Sequence, residues 1–154
     1  MRAKDMYVQP GYLLRRMHQI ATATFSAVNS DCDITAVQFA SLLAIRDKPG
    51  IDATRLAEAI RFDRTTIGHV IGRLEQKGLI VRTEGSLDKR TKELQITVKG
   101  SELLEEIGPR VQQVSDTVLA PLSEPEKSEF LRILRVLDNH ASKVARSADT
   151  MDDG

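Results

Sequence analysis

Residues 52–97, DATRLAEAIRFDRTTIGHVIGRLEQKGLIVRTEGSLDKRTKELQIT, leave the chain few ways to fold. Asp52 is a strong helix N-cap and predicts a short helix over 53–60. Leu56, Ala57 and Ile60 form its buried edge, and Ala57 is small where two helices must pass closely. Arg61-Phe62 makes a turn. Asp63 caps a second helix over 64–77, and Gly78 closes it. Ile67, Val70, Ile71 and Leu74 fall on one face at helical spacing. Leu79-Ile80-Val81 then opens a strand, Gly85 to Lys92 is a polar loop, and Leu94 to Val98 alternates as the return strand. Helix, turn, helix and two strands joined by a basic loop is the order of a winged helix-turn-helix, whose second helix can lie along a DNA major groove.

The flanking sequence is helical. Residues 1–10 read as an irregular arm. Residues 11–29 carry Leu13, Leu14, Met17, Ile20, Ala21, Thr24 and Val28 at steps of three and four, an amphipathic helix. SDCDI at 30–34 is a turn, and Thr35 caps a helix through Arg46 with Phe39, Leu42 and Leu43 inward. Lys48-Pro49-Gly50 ends it. Beyond the ribbon, Leu104, Ile107, Val111, Val114 and Val118 mark a long helix that Gly108-Pro109 should interrupt and Pro121 should end. Ser123-Glu124-Pro125-Glu126 starts another, with a seam of Phe130, Leu134, Leu137, Ala141 and Val144. Residues 147–154 read as a frayed tail. The expected fold class is mainly α with a small β-wing. Residues 35–98 form the DNA-binding region, and 11–34 with 99–146 form a dimerisation region. These long helices have more apolar surface than the small ribbon region can cover, so a second copy of the chain is the expected partner.

Charge is polarised along a chain whose net charge is zero. Residues 61–92 hold eight Lys and Arg against four Asp and Glu, whereas 100–154 hold six against eleven. A uniformly basic coat is excluded, and a basic patch at the ribbon is not. The single cysteine, Cys32, excludes an internal disulfide and any multi-cysteine metal cluster. His18, His69 and His140 are far apart in sequence, so neither metal nor cofactor is expected. No run approaches the roughly 20 apolar residues of a membrane span, and a cytoplasmic location is expected. No phosphate loop, nucleophile elbow or metal motif points to an enzyme.

At about 100° per residue, with Ile67 inward, Thr65, Gly68, His69, Gly72 and Gln76 face outward on the second helix of the pair. Thr66 and Arg73 flank them. Thr65, Thr66 and His69 suit contacts to phosphate or base edges. The free amides after Asp63 can receive a phosphate, with Arg64 adding charge. Arg90, with Lys89 and Lys92, can enter a narrow minor groove. Asp88 would position Arg90 through a bidentate pair.

Leu56-Ala57, the run Arg73-Leu74-Glu75-Gln76-Lys77-Gly78-Leu79-Ile80, and Asp88-Lys89-Arg90 followed by Leu94-Gln95-Ile96-Thr97-Val98-Lys99-Gly100 resemble the MarR family of transcriptional regulators over roughly residues 11–145. The resemblance implies a homodimeric repressor of a pseudo-palindromic operator in double-stranded DNA. It also implies release by a small, often aromatic, anion bound between the dimerisation helices and the DNA-binding lobe, and an internal ion pair for Arg73. Gly68, His69 and Gly72 depart from the bulkier or more polar residues of many members, so base specificity does not transfer. On this pattern Tyr12, Arg15, Arg16, His18 and Phe39 are the candidate effector-binding residues, and an aromatic acid of the nicotinate kind is the expected effector. Two alternatives remain. One is a redox switch at Cys32, which the neighbouring Asp31 and Asp33 disfavour by raising the thiol pKa. The other is a winged helix used for protein contacts alone.

Overall fold

The computed structural model describes residues 2–85 and 90–149. In chain order the elements are α1 (Ala3–Met6), α2 (Pro10–Val28), α3 (Ala36–Asp47), α4 (Ala53–Ile60), α5 (Arg64–Gln76), β1 (Ile80–Glu84), β2 (Lys92–Ile96), α6 (Val98–Leu119) and α7 (Glu124–Asp149). They divide into two compact units, residues 1–115 and residues 116–154.

In the first unit the expected caps are in place. The Thr35 hydroxyl accepts the Gln38 N–H at 3.3 Å, and Gln38 reaches back to the Thr35 N–H at 3.2 Å. Asp52 accepts the Arg55 N–H at 2.9 Å, and Asp63 the Thr66 N–H at 2.8 Å. Each cap satisfies an amide that the first helical turn leaves without an acceptor. Gly50 and Gly78 take φ of 86° and 70°, the left-handed conformation that turns the chain after α3 and after α5. The core gathers Leu42 and Ile45 from α3, Leu56 and Ala57 from α4, and Ile67, Val70, Ile71 and Leu74 from α5. Leu79, Ile80, Leu94, Leu104 and Ile107 complete it. Phe25 joins it from α2 and meets Phe39 with ring centroids 6.0 Å apart.

Four details depart from the expected elements. The N-terminal arm contains the short helix α1, whose Asp5 carboxylate accepts the Arg2 N–H. The return strand begins at Lys92 and ends at Ile96, earlier than alternation suggests. The Thr97 hydroxyl instead accepts the Gly100 N–H at 3.1 Å, and Val98 begins α6. A backbone bridge also adds Ile51 to the ribbon: Leu94 N–H donates to Ile51 O at 2.9 Å, and Gly50 N–H to Leu94 O at 3.0 Å. Finally, α6 runs through Pro109 without interruption.

The ribbon is antiparallel, with Ile80 opposite Ile96 and Glu84 opposite Lys92. Its base is pressed against α6. A Cβ on Gly100 would lie 2.2 Å from the Leu79 carbonyl oxygen, so only glycine fits there. In the second unit, Ser123 immediately precedes α7, and the Glu126 carboxylate accepts both its N–H and its hydroxyl at 2.8 Å. Those bonds hold the Glu126 carboxyl below its ordinary range. Phe130 and Leu134 are half-buried, whereas Leu131, Ile133, Val136 and Leu137 are exposed. The helix continues to Asp149, so residues 147–149 of the expected tail are helical; 150–154 lie outside the described residues.

Candidate nucleic-acid interface

Helix α5 is held by its inner face and open on its outer one. Ile67, Val70, Ile71 and Leu74 are 8% exposed or less, which fixes the helix's rotation. Thr65, Gly68, His69, Arg73 and Gln76 are exposed and Gly72 is half-buried, the distribution that helical periodicity predicts. Gly68, His69, Gly72, Arg73, Glu75 and Gln76 line one shallow concavity on this face. A Cβ built on Gly68 or Gly72 would meet nothing within 4 Å. No packing in the chain itself therefore requires either glycine.

Two expected contact residues are engaged elsewhere. The Thr66 hydroxyl donates to the Asp63 carboxylate, which also accepts the Thr66 N–H, so Thr66 completes the helix cap. These bonds hold the Asp63 carboxyl below its ordinary value. Arg64 donates to the Thr54 hydroxyl on α4 and ties the two helices together. Its side chain remains at the surface, at the amino end of α5. The internal ion pair expected of Arg73 is absent among the described residues. Glu75 makes the pair instead, with Arg82 of β1 at 2.8 Å, which leaves Arg73 exposed beside His69.

The turn between α4 and α5 contains a feature that sequence did not announce. Arg61 adopts φ 56°, ψ 48°, the left-handed conformation that glycine favours. Its N–H and that of Phe62 close the end of α4, on Glu58 O and Ala57 O. A left-handed arginine has no residue-type signature, and only the spacing of Ile60 and Asp63 hinted at so tight a turn.

In the wing, Gly85 N–H donates to Thr91 O at 3.0 Å, closing the ribbon where the described part ends. Arg90 and Lys92 are exposed. Lys92 belongs to β2 rather than to the loop and lies 4.0 Å from Glu84 across the ladder. Asp88 and Lys89, and with them the expected Asp88–Arg90 pair, lie outside the described residues.

The candidate effector residues divide. Arg15 sits over the Tyr12 ring, 5.0 Å from its centroid, and Tyr7 packs on Tyr12 at 5.2 Å. Arg16 and His18 are exposed. Phe39 is 8% exposed and packs on Phe25 in the core. The reason is local: one helical face of α3 carries Phe39, Leu42 and Ile45 together.

The surroundings of Cys32 disfavour its reactive thiolate form. Burial raises its pKa first, and the Asp31 and Glu106 carboxylates raise it further. Glu106 is one of the residues that sequence reasoning missed. Its Oε1 lies 3.6 Å from Cys32 Sγ, and Arg110 bridges it to Asp31. Asp31, Cys32 and Glu106 converge across 74 residues of sequence, a meeting that the scattered histidines gave no sign of. Only the adjacency of Asp31 and Cys32 was visible beforehand.

A capped helix with an open outer face, followed by a two-stranded ribbon, defines the winged helix-turn-helix class. Residues 34–92 match the sequence model of the MarR family. Over 131 residues the chain is 30% identical to the HTH-type transcriptional repressor NicR of Pseudomonas putida, covering 85% of this chain and 83% of that one. The structure of Bordetella bronchiseptica BpsR, from work on regulation of its DNA binding by 6-hydroxynicotinic acid, superposes with a TM-score of 0.81 at 30% identity. That match covers 86% of this chain and 94% of BpsR. The Streptomyces coelicolor regulator PcaV in complex with its natural ligand gives 0.80 at 30% identity, covering 92% and 99%. The chain belongs to the MarR family, and it is a transcriptional regulator rather than an enzyme. No helix among the described residues is long and apolar enough to cross a membrane.

Proposed function

We propose that the chain is a homodimeric, sequence-specific DNA-binding repressor that a small aromatic carboxylate releases from its operator. The observation that carries this reading is the outer face of α5. Thr65, His69, Arg73 and Gln76 stand around two glycines with no neighbours, next to a ribbon bearing Arg90 and Lys92. Thr65, His69 and Arg73 address base edges and phosphates in the major groove. Arg64 adds charge at the helix start, and Arg90, Lys92 and Lys89 supply the wing's cations. Thr66 contributes through the cap, and Asp88 positions Arg90.

Dimerisation is supported by apolar side chains that a single chain leaves in solvent. Tyr7, Val8, Leu13, Leu14 and Ile20 are exposed in the first unit, and Leu131, Ile133, Val136 and Leu137 in the second. Residues 11–34 and 99–146 are the proposed dimerisation region. A two-fold pair would present its α5 helices about 34 Å apart, one DNA turn, to a pseudo-palindromic site in the cytoplasm. The aromatic-acid effector is supported by NicR, by BpsR and its 6-hydroxynicotinic acid, and by the cluster of Tyr12, Arg15, Arg16 and His18 on α2. A redox switch is disfavoured by the upward shift of the Cys32 thiol.

The test is selection of bound genomic fragments by the purified protein, followed by release with a panel of hydroxynicotinates, salicylate and hydroxybenzoates. Salt-dependent binding to a palindromic fragment and release by at least one of these acids is expected. Absence of any enriched fragment would refute the DNA-binding reading, and enrichment with no release by any acid would refute the effector class.

A further inference from the structure

At the C-terminal end of α5, one residue meets both of the segments proposed for dimerisation. Lys77 is the C-cap residue of α5. Its ammonium donates to the Asp33 carbonyl and to Gln38 Oε1 at 3.2 Å, and it pairs with the Asp33 carboxylate at 3.1 Å. Its own carbonyl accepts from the Lys99 ammonium at 2.8 Å. Asp33 belongs to segment 11–34 and Lys99 to segment 99–146. Gln38 is 7% exposed, and the same Oε1 accepts the Thr35 N–H at 3.2 Å. Lys77 is therefore fastened to the capped start of α3 as well as to the turn before it.

We infer that Lys77 is a positioning residue for DNA recognition, setting the angle at which α5 stands to the dimerisation segments. The inference rests on the DNA-binding reading above. An ammonium has three donors, and here three acceptor atoms surround it. The Asp33 carboxylate is 95% exposed, and an ion pair in that setting orients little by itself. The bonds to the Asp33 carbonyl and to Gln38 are the directional ones, because both acceptors are fixed by the turn and by the α3 cap. A lysine that served DNA as a charge alone would extend into solvent, whereas the Lys77 side chain is 24% exposed and folded back on the protein.

The lever from this joint is long. Arg64 and Thr65 stand at the opposite end of α5, on the order of 20 Å away at about 1.5 Å per residue. A rotation of about 10° at Lys77 displaces that end by about 3 Å, close to one base-pair step. In a two-fold pair the displacement occurs at both α5 helices, so the joint controls the spacing of half-sites that the pair accepts.

The test uses an operator fragment selected by the full chain, and copies with one base pair inserted or removed at its centre, read by fluorescence anisotropy. Lys77→Met should weaken binding to the selected spacing by roughly tenfold and to the altered spacings much less, so that the preference for one spacing is lost. Equal weakening at every spacing would make Lys77 a charge and no more, and it overturns the inference. An unchanged preference in Lys77→Met, or a parent chain indifferent to spacing, overturns it too. If Lys77→Met does not fold by circular dichroism, Asp33→Ala at its exposed position carries the test, and an unaltered spacing preference there is the refuting result. A parent chain that selects no fragment refutes the DNA-binding reading and this inference together, whereas a parent that selects one and a variant that matches it refute the inference alone.

Discussion

Replacing Gly68 by alanine should make the protein more stable and worse at binding DNA. The stability half follows from the helix. Gly68 lies inside α5, and a Cβ there meets nothing within 4 Å. Alanine therefore gains the helix-propensity difference of about 1 kcal/mol without a clash. For a chain of this size that is a rise in Tm of about 2–4 °C. The binding half follows from the concavity in which Gly68 sits with His69, Gly72 and Arg73. If the α5 backbone lies against base edges there, a methyl group holds the helix off by on the order of 1 Å, enough to take a 2.9 Å hydrogen bond beyond its useful range. Losing one base contact costs about 1–3 kcal/mol, so a drop in affinity of about fivefold to over a hundredfold is expected. Thermal melts by circular dichroism and fluorescence anisotropy on a selected operator fragment read the two halves separately. A more stable variant with unchanged affinity would refute close approach of the helix to DNA. A less stable one would refute the open surroundings of Gly68.

The opposite outcome is expected of Gly100→Ala: its Cβ would lie 2.2 Å from the Leu79 carbonyl oxygen and 2.8 Å from Ile96 Cγ1, and the overpacking should lower stability by about 1–3 kcal/mol in a denaturant melt. An unchanged melt would show that α6 and the ribbon base can part freely. Arg90→Ala should weaken operator binding and reduce the slope of log affinity against log salt by about 0.9 if Arg90 neutralises one phosphate; an unaltered slope would remove Arg90 from the interface. The Asp63 cap has a pH signature, because the carboxyl is lowered from 3.8 in the folded chain, so its stabilisation is present above that value and lost as the pH falls through the lower folded one. The difference in Tm between the parent and Asp63→Ala should therefore shrink in strong acid, and a difference independent of pH would mean that the carboxylate's charge plays no part in the cap.

Much of the DNA-binding region was legible because its signals are local. Caps at Thr35, Asp52 and Asp63 and the steps of Ile67, Val70, Ile71 and Leu74 need only near neighbours in sequence, and each falls where the pattern places it. What escaped depends on distant or degenerate features. Pro109 was expected to interrupt α6, yet the helix runs through it while Leu104, Ile107 and Val114 stay buried, so packing outweighs one missing hydrogen bond. Arg61 carries a turn normally written with glycine. Phe39 has the hydrophobicity of either a pocket wall or a core residue, and its pairing with Phe25 of α2 could not be seen from spacing alone. The carboxylates around Cys32 come partly from α6, which periodicity alone cannot place opposite the α2–α3 turn.

The ribbon's root has a consequence for how such a regulator can diversify. Its register runs from Ile80 opposite Ile96 to Glu84 opposite Lys92, and Gly100 locks the lower end against Leu79. The Gly85–Thr91 bond closes the described ribbon at its other end. A one-residue slip at the root would turn every ribbon side chain to the opposite face. The root is thus the part of the wing that a lineage cannot edit one residue at a time.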